Sequence, residues 1–432
     1  MKILSRLFTF AALVALVAAS AAAQSVQNLT LHDAEQIAIQ NHPQIQAATH
    51  LASAARAQVT QARAAYYPLA YGSLTGADAE HNSRVAAGFL NNPIVFDRYA
   101  NGITVDQLVT DFGRTHELVR SSSLHAEAQK ENIVTSREDV LLAVDQAYFG
   151  VLKAQAVLTV AEQTVKERQT VADQISLLAQ NKIKSGLDVS FANVDLAQAK
   201  LLLIQAQNDL EASFAQLSAA MGYSSPRSFN LTEEPLPPTP PSDFAALLEQ
   251  ALRDRPELIG QRLDANSAHA YATAQRDLWF PTISAVGVAG LVPYDQASLE
   301  PASRYAAAGF NVNIPIFNGH LFGALRTEAN EQARAQDQFL RDIEDRIARD
   351  VRTAWLNANS AFERLSVTRQ LLDEASQSLN LAQSRYNLGL SSIVELSQAQ
   401  LNQTQAQIEQ ASAKYDYSTA ISALNYETGA LH

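Results

Sequence analysis

The sequence of 432 residues predicts a mainly helical protein built as a tandem structural repeat, with a helix, two strands and two long helices in each repeat. Two of the three supporting observations concern proline. No proline occurs in residues 94–225 or 316–432, and such spans can form very long helices because proline destabilises a helix interior by roughly 3 kcal/mol. A dense cluster, PLPPTPP at 235–241, predicts a stiff linker between the halves. The third observation is that the two halves align with each other.

The chain begins with a predicted secretory signal peptide, residues 1–23. Lys2 and Arg6 precede an apolar run, and Ala21 and Ala23 fit the small-residue rule for cleavage. Removal of this peptide takes away two of the 32 basic residues, so the mature net charge is 30 minus 44, or −14. A chain this acidic is a poor ligand for nucleic acid. It also contains no cysteine, which excludes disulfides, thiolate metal sites and cysteine nucleophiles.

The alignment predicts a first repeat at 24–234, a proline-rich linker at 235–242 and a second repeat at 243–432. Offsets of 213 and then 207 residues bring similar residues together, so that the motif YYP in the first repeat aligns with WFP in the second. A tandem duplication explains both offsets. In each repeat the first helix, of moderate length, is predicted to end at this aromatic-aromatic-proline motif.

Two stretches of alternating polarity follow that motif in each repeat and are predicted to be strands. The apolar residues that share one side of these stretches are Ile103, Val105 and Val109 in the first repeat and Phe310, Val312, Ile314 and Ile316 in the second. Two interpretations are open. The stretches are either bilayer-crossing strands with this side towards lipid, or surface hairpins with one face against a helix.

The longest predicted elements are single helices at 112–181 and 319–388. Each span contains 70 residues, which at about 1.5 Å per residue would extend over roughly 105 Å. Their apolar residues form only a narrow stripe, which is typical of coiled-coil-like packing against neighbouring helices. A break and a second long helix follow each of them.

Short motifs at the joints of the two repeats carry a resemblance to a known family. They are NHPQI and DRPEL, AAYYPL and DLWFPT, TDFGRT and PIFNGH, and SRYNLGLSSIVELSQAQ. Over residues 29–429, this set resembles the TolC family of outer-membrane efflux channels. The resemblance implies a homotrimer whose long helices form a periplasmic α-barrel, capped by a twelve-stranded β-barrel to which each chain gives four strands. Physics supports this, because four strands alone would leave two open edges in lipid.

The turns between the long helices are implied by the resemblance to form the periplasmic entrance of the channel. Family members carry an acidic residue after the turn glycine that narrows this entrance; here it is Glu395, with Asp188 at the equivalent place in the first repeat. The alternative for Glu395 is a solvated carboxylate favoured by the helix dipole. Gly186 lies nearer to its acid than Gly389 does, so the two turns are predicted to differ locally.

Two substitutions depart from the family pattern at the second turn. Gln398 stands where a second acid is common, and Ser391 stands where some relatives carry a basic residue. These departures predict three rather than six carboxylates in a trimer. Candidates for contact with a periplasmic adaptor at the helix tips are Lys182, Lys184, Arg385 and Gly389, with ordinary solvated side chains as the alternative.

The expected function is passive conduction of substrates from a periplasmic adaptor and inner-membrane pump through the outer membrane. Scattered histidines without metal-ligand spacing, and the lack of nucleophile or phosphate-binding motifs, predict no catalytic, cofactor or metal site. Two alternatives remain, a soluble periplasmic coiled-coil adaptor and a secreted enzyme on a helical scaffold. The first would need a β-rich contact domain and the second a polar pocket, and the repeats leave little room for either.

Overall fold

A computed structural model describes residues 28–80, 83, 97–295 and 303–431, so the predicted signal peptide lies outside the described residues. Its helices are α1 (Leu31–Asn41), α2 (Pro43–Arg63), α3 (Arg114–Gln180), α4 (Gly186–Ala220), α5 (Phe244–Asp254), α6 (Pro256–Arg276), α7 (Leu321–Asn387) and α8 (Ile393–Glu427). Its strands are β1 (Asn28–Leu29), β2 (Leu69–Ala77), β3 (Arg98–Thr110), β4 (Asn230–Leu231), β5 (Thr282–Asp295) and β6 (Ser303–Asn313). The prediction of a mainly helical fold is confirmed.

Corresponding helices have the same length in both halves of the chain. α1 and α5 each contain 11 residues, and α2 and α6 each contain 21. The long helices α3 and α7 contain 67 each, and α4 and α8 contain 35 each. A tandem duplication accounts for all four matches.

The prediction of one helix before each aromatic-aromatic-proline motif is wrong, because each repeat has two helices there. His42 and Arg255 leave the helical conformation, with ψ angles of 124° and 121°. A proline ring pushes the preceding residue out of the helical region. Pro43 and Pro256 then begin α2 and α6, where the missing N–H has no helical partner to lose.

The two long helices are unbroken, as predicted, but each contains 67 residues instead of 70. Phe112 and Gly113, with φ of 54° and 112°, precede α3, and Gly319 and His320, with φ of 60° and 69°, precede α7. Left-handed residues cannot belong to a right-handed helix, so each helix starts after them. Of the described helices, α3 contains a stretch apolar enough to cross a membrane by composition, and half of that stretch is buried within the fold.

The chain divides into two compact units that are not the two repeats. The first unit contains the described residues up to Ile45 together with Arg137–Ala251 and those from Arg349 onwards. The second unit contains the described residues within Gln46–Ser136 and Leu252–Ala348. Each repeat therefore contributes to both units.

The core of the first unit forms where α1, α4 and the parallel β1–β4 pair pack against α3. Its fully buried side chains include Leu29, Val140, Val144, Tyr148, Val151, Leu217 and Met221. The Tyr148 hydroxyl shares its single proton between two main-chain carbonyls, Leu29 O at 3.0 Å and Thr232 O at 2.6 Å. One side chain of α3 thus fixes the segments that carry β1 and β4.

Replacing Tyr148 with phenylalanine is expected to lower the free energy of unfolding by about 1 kcal/mol, because the Thr232 carbonyl loses its donor, whereas the Leu29 carbonyl still accepts the Thr232 N–H. The midpoint of thermal unfolding, followed by far-UV circular dichroism, measures the loss. The control is Tyr271→Phe, at an exposed tyrosine of α6, which should leave the midpoint unchanged. Equal midpoints for the two variants would contradict the role given to the Tyr148 hydroxyl.

The second unit contains a four-stranded antiparallel sheet with the order β2-β3-β5-β6. Each repeat supplies one hairpin, and β3 pairs with β5 to join the two hairpins. β2 and β6 are the edge strands, and in the described residues each pairs on one side only. Each repeat supplies two strands to this sheet, as predicted, and the short β1–β4 pair adds two strands to the first repeat that were not predicted.

Candidate membrane sheet and helix-tip site

The four-stranded sheet has one apolar face. Ile103 of β3 pairs with Ala289 of β5, which pairs with Ala306 of β6, so these three residues share a face. Side chains alternate along a strand, and this places four of the predicted lipid-facing residues on that face, namely Ile103, Val105, Phe310 and Val312. All four are exposed, Phe310 by 78%. An exposed apolar sheet face of this kind is what contact with lipid requires.

Val109, a fifth predicted lipid-facing residue, lies at an irregularity. The register of β3 against β5 shifts between Leu108 and Thr110, and Val109 is the additional residue of this β-bulge. Its side chain is exposed. Simple alternation along β3 therefore does not extend to its last residues.

Ile314 and Ile316 do not belong to a strand, and the prediction that they do is wrong. β6 ends at Asn313, and both isoleucines lie in the irregular segment that follows. Pro315 lies between them and has no N–H to give to a ladder. Both side chains are exposed, so they extend the apolar surface beyond the strand end.

The opposite face of the sheet is more polar. The Tyr71 hydroxyl on β2 donates to Asp106 Oδ2 on β3 at 2.6 Å. On the same face the ring of Tyr305 lies across Gly102 and Gly290, where a Cβ atom at either glycine would collide with the ring. The sheet is therefore two-sided, as in a strand that separates lipid from water.

Exposed aromatic side chains lie at one end of the sheet, where β2 and β5 begin and β3 and β6 end. They are Tyr66, Tyr67, Phe112, Trp279, Phe280 and Phe317. The Phe112 and Phe280 rings approach each other, with centroids 6.0 Å apart. Aromatic rings of this kind are typical of the boundary between bilayer and water.

The turn between α3 and α4 and the turn between α7 and α8 have the same backbone. Lys182 and Gly389 occupy the left-handed position, with φ of 60° and 72°. In both turns the next N–H donates to the carbonyl five residues earlier, at 2.9 Å, which completes a Schellman motif. The prediction that the turns differ is wrong, because Gly186 is the first residue of α4 and not the turn residue. Lysine at this position costs roughly 1 kcal/mol relative to glycine.

The side chain of Asp188 caps the start of its own helix, α4. Its Oδ2 accepts the Ser185 N–H at 2.9 Å, and its own N–H donates to the Ser185 hydroxyl oxygen at 3.2 Å, which together form a capping box. Burial acts to raise the pKa of Asp188, but the hydrogen bonds from Ser185 and the charge of Lys184 lower it overall. The predicted gate carboxylate of the first repeat is therefore already bonded within the tip.

Tyr386, near the end of α7, lies among the tips of the helices. It packs in an apolar cluster formed by Ala172, Ile175, Ala192, Leu196, Ile393 and Leu396. Lys184 Nζ donates to the Tyr386 carbonyl at 3.3 Å and lies 3.6 Å from the centroid of its ring. The tyrosine is 3% exposed, and burial together with the negative charge of Asp188 raises its pKa to about 12. Lys184 therefore links the tip of the first-repeat helices to the end of α7, and its contact with an adaptor stays a prediction.

Glu395 and Arg385 form an ion pair across the second turn, with 3.0 Å between Glu395 Oε1 and Arg385 Nε. The N–H of Glu395 donates to the Ser392 hydroxyl at 3.4 Å, but the carboxylate does not complete a capping box and instead reaches Arg385. Sequence reasoning assigned these two residues to different roles and missed their contact. Opposite charges on either side of a turn glycine were the available signal.

An open groove of about 690 Å³ lies between α7 and α8 beside this ion pair. Leu381, Arg385, Val394, Glu395 and Gln398 are among the side chains that line it. Gln398 donates to Asn402 Oδ1 at 2.9 Å and carries no charge, so the groove has one carboxylate on this stretch of α8. No group of three or more His, Cys, Asp or Glu residues that could hold a metal ion occurs in the described part of the chain.

The sequence matches the family described as outer membrane efflux protein, over residues 34–223 and 247–430. The two matched segments coincide closely with the two repeats and omit the proline-rich linker. They include both helix-tip turns and all four strands of the sheet.

Curated relatives and solved structures agree with this match. The outer membrane protein TolC of Escherichia coli K12 is 23% identical over 77% of this chain and 71% of its own length. The alkaline protease secretion protein AprF of Pseudomonas aeruginosa is 23% identical over 93% of this chain and 85% of its own. The MtrE outer membrane channel of Neisseria gonorrhoeae, solved in an open state, superposes with a TM-score of 0.75 at 18% identity, over 92% of this chain and 88% of that one.

Proposed function

The chain belongs to the outer membrane efflux protein family, and on this premise we propose that it forms the exit channel of a tripartite assembly, completed by a periplasmic adaptor and an inner-membrane pump. It is an outer-membrane protein with its helical part in the periplasm, and it belongs to the class of efflux and type I secretion channels that includes TolC and AprF. Membership of a channel family indicates no catalytic activity. It also decides against the alternative of a periplasmic adaptor.

One observation about the chain itself carries the proposal, namely a two-faced sheet with open edges. The apolar face bearing Ile103 and Phe310 is exposed, and β2 and β6 each have an unpaired side in the described residues. Unpaired backbone groups cost several kcal/mol each in lipid, so a bilayer location requires the sheet to be closed. Three copies of this sheet would close as a barrel of twelve strands.

The helices offer a second reason for a homotrimer. Leu187, Val194 and Leu201 of α4 recur every seven residues and are more than half exposed, with Ile204 beside them. Apolar residues at seven-residue spacing form the seam of a coiled coil, and this seam has no partner in the described residues. Neighbouring copies of the chain would supply that partner and enclose a water-filled tube.

Substrates would enter at the helix tips and pass through the tube without energy from this chain, because its sequence contains no nucleotide-binding motif. Glu395 is the candidate for the narrowing of the entrance, with Arg385 as the residue that offsets its charge. Asp188 stabilises the first helix-tip turn, because its carboxylate caps the start of α4. The groove between α7 and α8 and the exposed Lys182 remain the candidates for adaptor contact.

Purified protein in planar lipid bilayers is expected to give stepwise, cation-favouring conductance, because the chain is acidic and three Glu395 side chains would surround the entrance. Glu395→Gln should weaken block by divalent cations about threefold, since it removes the carboxylates that bind them. Arg385→Gln is the matched variant and should strengthen the block, because it leaves the same carboxylates without their cation. Folded protein that inserts but conducts no ions would overturn the channel proposal. If divalent cations block both variants as strongly as they block the wild type, only the assignment of Glu395 to the gate is wrong.

A further inference from the structure

The side chain of Tyr305 lies along the polar face of the sheet instead of standing away from it. Its hydroxyl donates to the Asn101 carbonyl of β3 at 3.4 Å, although Tyr305 belongs to β6 and β5 lies between these strands. The tyrosine side chain therefore crosses β5. Side chains of a sheet normally stand roughly perpendicular to it, so the orientation of this ring requires space that most strands do not offer.

Two glycines on the neighbouring strands provide this space. Tyr305 pairs with Gly290 of β5, and Gly290 pairs with Gly102 of β3, so the three residues lie side by side on one face. A Cβ atom added at Gly290 would lie 2.5 Å from the Cζ of Tyr305. A Cβ atom added at Gly102 would lie 3.1 Å from the same Cζ and closer still to the hydroxyl oxygen. We call Gly102 and Gly290 the glycine trough.

The two glycines differ in what else an added side chain would meet. At Gly290 a Cβ atom would also collide with the main-chain carbonyl of Asn101, so the strands themselves require glycine there. At Gly102 the nearest main-chain atom, the Ala289 carbonyl oxygen, would lie 3.0 Å away, and the severe collision is with the Tyr305 hydroxyl. The end of a side chain can rotate away from such a collision. A methyl group at Gly102 would therefore displace the ring and leave the strand pairing in place.

The polar face lines the lumen of the proposed barrel, the water-filled space at its centre. Tyr305 lies near the start of β6, at the end of the sheet farthest from α7, which in that barrel is the outer end. It is the bulkiest residue that β6 places on this face; the others are Ala307, Gly309, Asn311 and Asn313. Three copies of the chain would bring three tyrosines to one level of the lumen.

We propose that the glycine trough sets the width of the channel near its outer end, and so the largest solute that can leave, by holding the ring of Tyr305 against the wall. The proposal rests on the proposed channel function. While the ring lies in the trough, the lumen keeps its width at this level. A ring displaced from the trough would take the ordinary perpendicular orientation and project into the lumen. Pore diameter is one of the quantities that determine what a channel conducts.

Gly102→Ala tests the trough in planar lipid bilayers. We expect the single-channel conductance to fall about twofold, because three displaced rings narrow the lumen. Neutral polyethylene glycols of graded size, which lower the conductance only when they enter the lumen, should show a smaller size limit than in the wild type. In a Tyr305→Ala background, Gly102→Ala should change neither quantity, because no ring is left to displace. The matched control is Gly309→Ala, at a glycine on the same face where an added Cβ meets nothing within 4 Å, and it should behave as the wild type.

A second variant tests the same idea without a change at either glycine. Ala307→Tyr places a ring on the same face of β6, one row nearer to α7, where the paired residue of β5 is Val288 instead of glycine. A valine side chain leaves no trough, so this ring should stand in the lumen and also lower the conductance and the size limit. This variant decides the proposal if Gly102→Ala does not insert into the membrane.

The outcomes separate this proposal from the proposed function. If the wild type inserts and conducts no ions, the channel function itself fails. If the wild type conducts and Gly102→Ala conducts equally well, the role of the trough is wrong and the channel function stands. The same holds if Gly102→Ala lowers the conductance equally with and without Tyr305, because the loss then comes from a distorted strand, or if Ala307→Tyr keeps the wild-type size limit.

Discussion

Replacing Asp145 with asparagine is expected to stabilise the protein at pH 8 by about 3 kcal/mol more than it does at pH 5. Asp145 lies on α3, is 3% exposed, and has an oxygen, Oδ1, with no hydrogen-bond partner among the described residues. Burial raises its pKa to about 7; the Ser422 hydroxyl opposes this, and the Glu35 carboxyl of α1 adds to it. Burial also raises the pKa of Glu35. Two carboxyls in one desolvated site cannot both ionise cheaply, so the pair retains a proton at neutral pH.

The sign follows from the raised pKa. The unfolded chain loses the Asp145 proton near its ordinary pKa of 3.8, whereas the folded protein keeps it until about pH 7. The contribution of the Asp145 proton to stability is therefore complete below pH 3.8. It falls as the pH rises from 3.8 to about 7, and it is constant above that. Asparagine has no proton to lose, so the variant lacks this fall. The effect amounts to about 1.4 kcal/mol for each pH unit between 5 and 7.

The charged groups around the pair come from three segments. His32 of α1 lies 3.7 Å from Glu35 Oε2, Arg137 of α3 favours ionised Glu35, and Glu234 after β4 disfavours it. These groups add their own pH dependence, so the measured quantity is the difference between variant and wild type. Thermal midpoints at pH 5 and pH 8 give that difference.

An aspartate on the same helix provides the control. Asp173 is exposed and accepts a hydrogen bond from Gln169, so Asp173→Asn should shift the midpoint equally at both pH values. A difference between Asp145→Asn and wild type that does not change with pH would contradict a shared buried proton. A change of the opposite sign would do the same.

Local chemistry let the sequence predict the element types, but it could not supply the long-range contacts. Proline placement and strand alternation are properties of neighbouring residues, and they located both long helices and both hairpins. Their errors have local causes too: Phe112 and His320 adopt left-handed φ angles that ordinary propensities do not anticipate. Pro43 and Pro256 were recognised as motif residues but not as helix starts.

The helix-tip site was predicted in position and only partly in chemistry. Aligning the two turns on their glycines hid the equivalence of Lys182 and Gly389, because a lysine carries no signal for a left-handed turn. The contact of Arg168 with Thr404 joins residues that are 236 positions apart in the sequence. The residue pattern of one helix does not predict which residues of another helix it will contact. Contacts of this kind depend on which faces meet after packing.

A charge on the apolar face of the sheet is expected to prevent stable insertion. Ile103→Lys places an ammonium on the face shared with Phe310, and lysine on a lipid-facing strand costs about 2–4 kcal/mol near the middle of a bilayer. In the proposed trimer the substitution would occur three times, so the cost would be about 6–12 kcal/mol for each assembly. The amount of folded trimer in outer-membrane fractions, compared with total synthesis, measures the loss.

The neighbouring residue in β3, Thr104, gives a matched control, because its side chain lies on the opposite face of the sheet. Thr104 points to the opposite face, where Tyr71 and Asp106 lie, and a lysine there would find a carboxylate and water. Thr104→Lys should therefore insert like the wild type. Because the two positions are adjacent, expression, strand propensity and distance from the sheet ends are nearly the same for both. If Ile103→Lys and Thr104→Lys lose the same amount of trimer, or if both keep the wild-type amount, the face bearing Ile103 is not turned towards lipid.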